Sequence, residues 1–81
     1  MVTVKLFGPA AQLVGVAEIA IQPMDTDMTC GWLKDAIVRR YPQLVTRMPS
    51  ARLAVNYSYT SDDTLLTGDE EIALIEAVSG G

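Results

Sequence analysis

The residues best suited to take part in a chemical reaction are the last four, Val78-Ser79-Gly80-Gly81. Glycine has no Cβ, so Gly80 and Gly81 can enter a channel too narrow for a side chain and adopt backbone angles closed to other residues. The α-carboxylate of Gly81 is also unhindered. An apolar run over residues 72–75 precedes this segment, which predicts a folded body with a reactive C-terminal end. The alternative at this point is an inert, frayed terminus.

The rest of the chain offers little material for a catalytic site. It has no histidine and one cysteine, which excludes a thiol–imidazole pair and a histidine-bearing metal site. The cysteine, Cys30, lies on the apolar stripe of a predicted helix, so we interpret it as a core residue. The carboxylates near predicted turns are interpreted as solvated groups. These carboxylates are Asp62, Asp63, Asp69, Glu70 and Glu71. We therefore predict no metal site and no enzyme activity of the chain on its own.

Composition limits the remaining possibilities. A length of 81 residues predicts one domain, residues 1–81, with residues 76–81 as its tail. A net charge of −4 argues against nucleic acid as a partner, because binding the phosphate backbone needs a basic surface. The start of the chain lacks the pattern of a signal peptide, and no apolar run approaches the roughly 20 residues that span a bilayer. We therefore expect a cytosolic protein without a membrane partner.

The N-terminal half predicts a pair of strands joined by a short helical segment. Apolar and polar residues alternate over 2–7 and again over 17–22, which is the period of a half-buried strand. Between them, residues 10–14 predict one or two helical turns that end at Gly15. The side chains predicted to face the core are Val2, Val4, Leu6, Ala17, Ile19 and Ile21.

The C-terminal half predicts one main helix and further strands. Thr29 precedes apolar residues at helical spacing, so we expect it to cap a helix over 30–41 that Pro42 ends. A third strand follows near residues 52–57, then a short strand at 65–66 and a last strand at 72–75. The side chains of these strands predicted to face the core are Leu53, Val55, Tyr57, Ile72 and Leu74.

Apolar residues also occupy the opposite face of the predicted sheet. Alternation along the strands points Phe7, Ala73 and Ile75 away from the core, and Tyr59 is a further candidate. An antiparallel sheet with one solvated face is normally polar there, and an exposed apolar patch usually marks a partner surface. The alternative is that the chain's own loops cover these residues.

Short segments along the whole chain, in this order, resemble the MoaD family, which is the small sulfur-carrier subunit of molybdopterin synthase. The segments are Val4-Lys5-Leu6-Phe7, Leu13-Val14-Gly15, Arg40-Tyr41-Pro42, Ala54-Val55-Asn56, Leu66-Thr67-Gly68-Asp69-Glu70, Ile72-Ala73-Leu74-Ile75 and Val78-Ser79-Gly80-Gly81. The resemblance implies an α+β fold of the β-grasp, ubiquitin-like type. In that fold a mixed sheet packs on one main helix, its first and last strands adjacent at the centre, and a flexible diglycine tail follows.

The resemblance also implies a reaction at Gly81. A MoeB-like enzyme would use ATP and Mg²⁺ to adenylate the Gly81 carboxylate, and the adenylate would then become a thiocarboxylate. Sulfur would pass to precursor Z in a MoaE-like large subunit, within a heterotetramer, to form the molybdopterin dithiolene. By resemblance Val78, Ser79 and Gly80 would thread the active-site channel, and the chain itself would bind no stable cofactor.

The same resemblance assigns partner docking to Phe7, Tyr59 and Ile75. One departure from the family is Glu76-Ala77, where relatives usually have Pro-Pro. It predicts a more mobile tail and a charge near the partner's pocket. Three alternatives stay open: a sulfur carrier for thiamine or tRNA thiolation, a ubiquitin-like protein modifier, and an interaction module with an inert diglycine.

Overall fold

The structure, a computed structural model, describes residues 1–24 and 27–76. Seven strands and two helices occur in these ranges, together with 3₁₀ turns at Pro42–Leu44 and Met48–Ser50. The elements are β1 (Val2–Leu6), α1 (Gly8–Val14), β2 (Glu18–Ile21), β3 (Met28–Thr29), α2 (Cys30–Arg40), β4 (Ala51–Val55), β5 (Ser58–Tyr59), β6 (Leu65–Leu66) and β7 (Ile72–Glu76).

The main sheet has five strands in the order β2-β1-β7-β4-β5. The first and last strands, β1 and β7, run parallel at its centre, with Val4 opposite Ile72 and Leu6 opposite Leu74. The neighbouring pairs β1–β2, β4–β7 and β4–β5 are antiparallel. This arrangement confirms the predicted α+β fold and its β-grasp topology. A small second sheet pairs β3 with β6.

Helix α2 begins and ends where capping chemistry predicts. The hydroxyl oxygen of Thr29 accepts a hydrogen bond from the Trp32 amide at 3.0 Å, which satisfies a free donor of the first turn. The helix ends at Arg40, two residues before Pro42. Its apolar stripe packs against one face of the sheet, and Leu33 and Ile37 are fully buried there. The prediction of the main helix is therefore confirmed to within one residue.

Two large core residues lie outside the helices and strands predicted from the sequence. Leu44 belongs to the 3₁₀ turn after α2 and is fully buried in the core. Met28 forms the short strand β3, where its side chain is also buried. A single apolar residue in a short irregular segment has no periodicity, so sequence patterns give no signal for it.

Three predicted positions were wrong. Tyr57 does not face the core: β4 ends at Val55, and Tyr57 lies in the following turn with 86% of its surface exposed. Ala17 is exposed and precedes β2, which begins at Glu18. Glu76 belongs to β7 and pairs with Ala51, so the strand continues one residue into the predicted tail.

No helix in residues 1–24 and 27–76 is long and apolar enough to cross a membrane. Within the same ranges no group of three or more potential ligands could hold a metal ion.

Candidate functional site

The outer face of the sheet, on the side away from α2, carries the predicted docking residues. Strand register aligns Lys5 with Ala73, Ala73 with Ala54, and Ala54 with Tyr59, so these four residues form one row across the face. Side chains on neighbouring strands at one level point to the same side of a sheet. The structure therefore places Tyr59 beside alanines that leave its ring uncovered, and 57% of Tyr59 is exposed.

Phe7 and Ile75 complete this surface. Phe7 follows β1 directly with an extended backbone and is 54% exposed, while Ile75 is half-buried on β7. A shallow depression of about 310 Å³ brings the three predicted docking residues together, and we call it the outer-face depression. Its lining residues are Lys5, Phe7, Ala54, Tyr57, Tyr59, Glu71, Ala73 and Ile75. The chain's own described loops therefore do not cover the apolar face, which answers the alternative raised from the sequence.

A tight turn between β4 and β5 positions one wall of the depression. Asn56 and Tyr57 both have positive φ, 50° and 70°, as the two central residues of a type I′ hairpin turn do. Asn56 holds the turn in place, because its amide donates to the Glu71 carbonyl at 2.8 Å and its side chain accepts from the Glu71 amide at 3.0 Å. Tyrosine at positive φ is strained. The strained turn presents an exposed aromatic ring at the edge of the depression.

Charged groups flank the apolar surface. The Lys5 ammonium donates to the Glu71 carboxylate at 2.6 Å, and this hydrogen bond lowers the pKa of Glu71 and raises the pKa of Lys5. Across the sheet, the Arg52 guanidinium lies over the Tyr59 ring, 5.0 Å from its centroid. The Tyr59 ring therefore packs against a cation while 57% of the residue stays exposed.

A second ion pair holds the end of β7. The Arg47 guanidinium donates two hydrogen bonds of 2.7 Å to the two carboxylate oxygens of Glu76, whose side chain is only 17% exposed. The hydrogen bonds from Arg47 lower the pKa of Glu76. Glu76 stands where relatives of the MoaD family usually have proline. Its carboxylate is paired with Arg47 of the same chain, so it does not add an unpaired charge beside the predicted tail. This interaction depends on two residues 29 apart, which sequence patterns do not connect.

The predicted reactive residues Val78, Ser79, Gly80 and Gly81 lie outside the described residues. The described chain ends at Glu76, next to Ile75 of the outer-face depression. Cys30 is buried, with its sulfur 3.1 Å from the Thr60 hydroxyl oxygen, as expected for a core residue.

Comparison with known sequences now identifies the family. A model of the ThiS family matches residues 4–81. The chain belongs to the ThiS family. It is also 31% identical over 80 residues to the molybdopterin synthase sulfur carrier subunit of Arabidopsis thaliana, a match that covers 99% of this chain and 82% of the relative. The resemblance to MoaD-type carriers is therefore confirmed.

Solved structures of similar proteins confirm the ubiquitin-like fold. This ThiS-family chain superposes on SAMP1 from Haloferax volcanii with a TM-score of 0.83 and 26% identity, covering 98% of this chain and 97% of that one. A putative molybdopterin converting factor, subunit 1, from Pyrococcus furiosus gives a TM-score of 0.81 at 24% identity, covering 94% and 95%. At 24% identity, the match to the Pyrococcus furiosus protein supports the fold alone.

Sequence reasoning missed part of this ThiS-family surface. Lys5, Tyr57 and Glu71 line the depression but were not predicted as site residues. Tyr57 was placed in a strand because Leu53, Val55 and Tyr57 alternate. Asn56 was the available signal, because asparagine favours the positive φ of a hairpin turn.

Proposed function

We propose that this protein is a sulfur carrier that supplies molybdopterin synthase. One observation carries the proposal: the family match reaches Gly81, and the curated relative over nearly the full chain is a molybdopterin synthase sulfur carrier subunit. The outer-face depression supports it, because a carrier needs a surface that partners can recognise while its terminus reacts elsewhere. The chain itself would be a non-catalytic subunit.

The chemistry at Gly81 proceeds in two steps on an activating enzyme of the MoeB type. A carboxylate is a poor electrophile because its leaving group would be oxide. Its oxygen attacks the α-phosphorus of ATP, pyrophosphate leaves with Mg²⁺, and an acyl-adenylate forms. A sulfur nucleophile then attacks the carbonyl carbon and AMP leaves. If the donor is a persulfide, a thiol then cleaves the acyl–disulfide bond, forms a disulfide with the donor's sulfur and leaves the thiocarboxylate on Gly81. ATP and Mg²⁺ belong to the activating enzyme, and the carrier holds neither stably.

Sulfur delivery takes place in the large subunit. The thiocarboxylate is anionic and nucleophilic at neutral pH, so its sulfur bonds to a carbon of precursor Z while an oxygen substituent of that carbon leaves. Water then hydrolyses the resulting thioester, which leaves the sulfur on precursor Z and returns the Gly81 carboxylate. Two such transfers build the dithiolene. Val78, Ser79 and Gly80 thread the channel to the reacting centre, and residues 77–81 can extend about 17 Å at 3.3 Å per residue.

Docking of the folded body uses the outer-face depression. Phe7, Tyr59 and Ile75 supply exposed apolar and aromatic area, the residue types that dominate interface energetics. Ile75 immediately precedes the last described residue, so a partner seated on the depression contacts the chain next to the point where residues 77–81 begin. Both the activating enzyme and the large subunit need this arrangement.

The test is the intact mass of the protein after incubation with ATP, Mg²⁺, a MoeB-type enzyme and a sulfur donor. We expect a gain of about 16 Da, oxygen replaced by sulfur, in the C-terminal peptide. Gly81→Ala should fold normally and lose sulfur incorporation, because its methyl group meets the narrow channel. No mass gain in the natural protein, with an enzyme active on another carrier, would contradict the proposal. Subsequent dithiolene formation with the large subunit and precursor Z tests the pathway.

A second candidate, protein modification through Gly81, draws on the similarity to SAMP1 at 26% identity. The activation chemistry would be shared, and the acyl carbon would then be attacked by a lysine amine. This function predicts conjugates of higher mass in cells that express a tagged chain. Conjugates together with sulfur incorporation would assign both functions to the protein. Sulfur incorporation without conjugates would support the sulfur-carrier function alone.

A further inference from the structure

A second groove lies away from the outer-face depression, between strand β2 and helix α2. It is an open trough of about 700 Å³, and we call it the helix-edge groove. Trp32 and Ala36 of α2 supply apolar surface, Met24 extends it, and Ala20 lines the groove from the edge strand β2. The small side chain of Ala36 leaves space open, and the half-buried Trp32 packs against the hydrophobic core. The groove therefore has a rigid, largely apolar floor.

One side of the groove is a sheet edge. In the five-stranded sheet β2 is terminal, and within residues 1–24 and 27–76 only β1 pairs with it. An edge strand presents unpaired N–H and C=O groups that can pair with an added extended segment. Side chains of such a segment would alternate between solvent and the groove. The geometry thus favours an extended peptide over a helix or a compact small molecule.

Two arginines give the groove its charge preference. Arg39 and Arg40 lie on its rim in the last turn of α2, and both are exposed. Within residues 1–24 and 27–76, neither has a carboxylate oxygen within 4.0 Å, unlike the three cations that form ion pairs, Lys5, Lys34 and Arg47. The protein as a whole has a net charge of −4. The rim is therefore a local cationic site on an acidic molecule, and it favours carboxylates.

We propose that the helix-edge groove binds an extended segment of a partner protein in which aliphatic residues adjoin Asp or Glu. The segment adds to the β2 edge, places aliphatic side chains against Trp32 and Ala36, and directs its carboxylates to Arg39 and Arg40. The proposal does not depend on the sulfur-carrier function.

The position of the groove permits simultaneous engagement of both surfaces. Ile21 pairs with Val2 at the start of β1, whereas Glu76 lies beyond the Leu6–Leu74 pair at its other end. These positions are about 20 Å apart along the strand direction. The groove is also on the helix side of the sheet. A partner on the outer face therefore leaves the groove accessible to the extended segment.

The test screens a displayed library of random ten-residue peptides for binding to the purified full chain. The same library is screened in parallel against the Arg39→Glu/Arg40→Glu variant, and the two sets of enriched sequences are compared. We expect enrichment of aliphatic residues next to Asp or Glu. A synthetic peptide of the enriched sequence is then titrated while the fluorescence of Trp32, the single tryptophan, is recorded. The charge reversal should weaken binding at least ~10-fold and more at low salt. N-methylation of alternate peptide amides should also weaken it, because it blocks pairing with β2.

A matched control separates the groove from general electrostatics. Arg52→Glu makes the same type of charge change on the outer face and should alter affinity by no more than about twofold. Circular dichroism verifies that each variant is folded, and Arg39→Gln/Arg40→Gln replaces the charge reversal if that variant unfolds. Enriched sequences without acidic residues, no enrichment, or equal weakening by Arg52→Glu would overturn the proposal. A dimer in sedimentation velocity that Arg39→Glu/Arg40→Glu abolishes would also overturn it, by assigning the groove to a second copy.

Discussion

The two faces of the central sheet are built from adjacent residues of the same strands but differ in burial. On the helix side Ile72 and Leu74 are each only 1% exposed. On the other side Ala73 and Ile75 are half-buried, and Phe7 and Tyr59 leave more than half of their surface in water. Alternation along β7 therefore gives one face that stabilises the fold and one that leaves apolar area exposed, as the proposed docking requires.

The comparison predicts that neighbouring substitutions on β7 have different consequences. Leu74→Ala should lower the free energy of unfolding by about 2–5 kcal/mol, because it opens a cavity in the core. Ile75→Ala, the matched control on the outer face, should cost less than about 1 kcal/mol. Urea unfolding followed by circular dichroism measures both. Equal losses would show that the outer face is as important for stability as the core.

Phe7→Asp is the strongest expected change on the outer face. The charge replaces an exposed ring at the depression, so affinity for a MoeB-type enzyme and for the large subunit should each fall about 30-fold or more. Stability should change little, because 54% of Phe7 is already exposed. Isothermal titration calorimetry with each partner gives the affinities. Unchanged affinities would remove Phe7 from the interface, and Leu13→Asp on the exposed side of α1 controls for added charge.

Tyr57→Gly should sharpen the contrast by moving stability and binding in opposite directions. Glycine relieves the positive φ of 70°, so we expect a gain of up to about 1 kcal/mol in the free energy of unfolding. Partner affinity should fall about threefold, since one aromatic wall of the depression is lost. Tyr57→Ala removes the ring but keeps a Cβ at the positive φ, so it separates the loss of the ring from the relief of strain. A stabilised variant with full affinity would mean that the ring contributes nothing to docking.

The smallest expected effect concerns acid stability. The pKa values of Glu71 and Glu76 are lowered in the fold, first of all by their hydrogen bonds to Lys5 and Arg47. A carboxylate whose pKa is lower in the folded state than in the unfolded state stabilises the fold at pH values above its unfolded pKa, which is about 4.3. This stabilisation is lost as the pH falls through the folded-state pKa. Arg47→Gln should therefore reduce the melting temperature at pH 7 but not at pH 2. A constant difference across this range would show that the Glu76 charge is not responsible.

The sequence predicted the main elements because each long one has a clear period, whereas the β-grasp topology was implied by the resemblance to the MoaD family. Alternation placed Val2, Val4 and Leu6 in the core, and capping placed Thr29 at the start of α2. Parity also indicated the outer positions of Phe7 and Ile75, which the structure brings to one depression.

Other parts of the site needed the three-dimensional structure. The Arg47–Glu76 pair joins the turn between the two 3₁₀ segments to the last strand, and the turn at Tyr57 interrupts what looks like continued alternation. The helix-edge groove likewise forms from two elements that only packing brings together. Residues 77–81, on which the proposed chemistry depends, lie outside the described residues.

The parallel pairing of β1 with β7 has a consequence for the synthesis of the protein. Val4 and Ile72 are neighbours in the sheet, so the centre of the sheet cannot close until the ribosome has made most of the chain. Until then β1 and β2 form an incomplete hairpin whose inner edge is open, and such edges recruit other strands. Pairing of strands so distant in sequence is also slow. We expect the centre of the sheet to close only after β7 has left the ribosome, and nascent chains to need protection from aggregation until then.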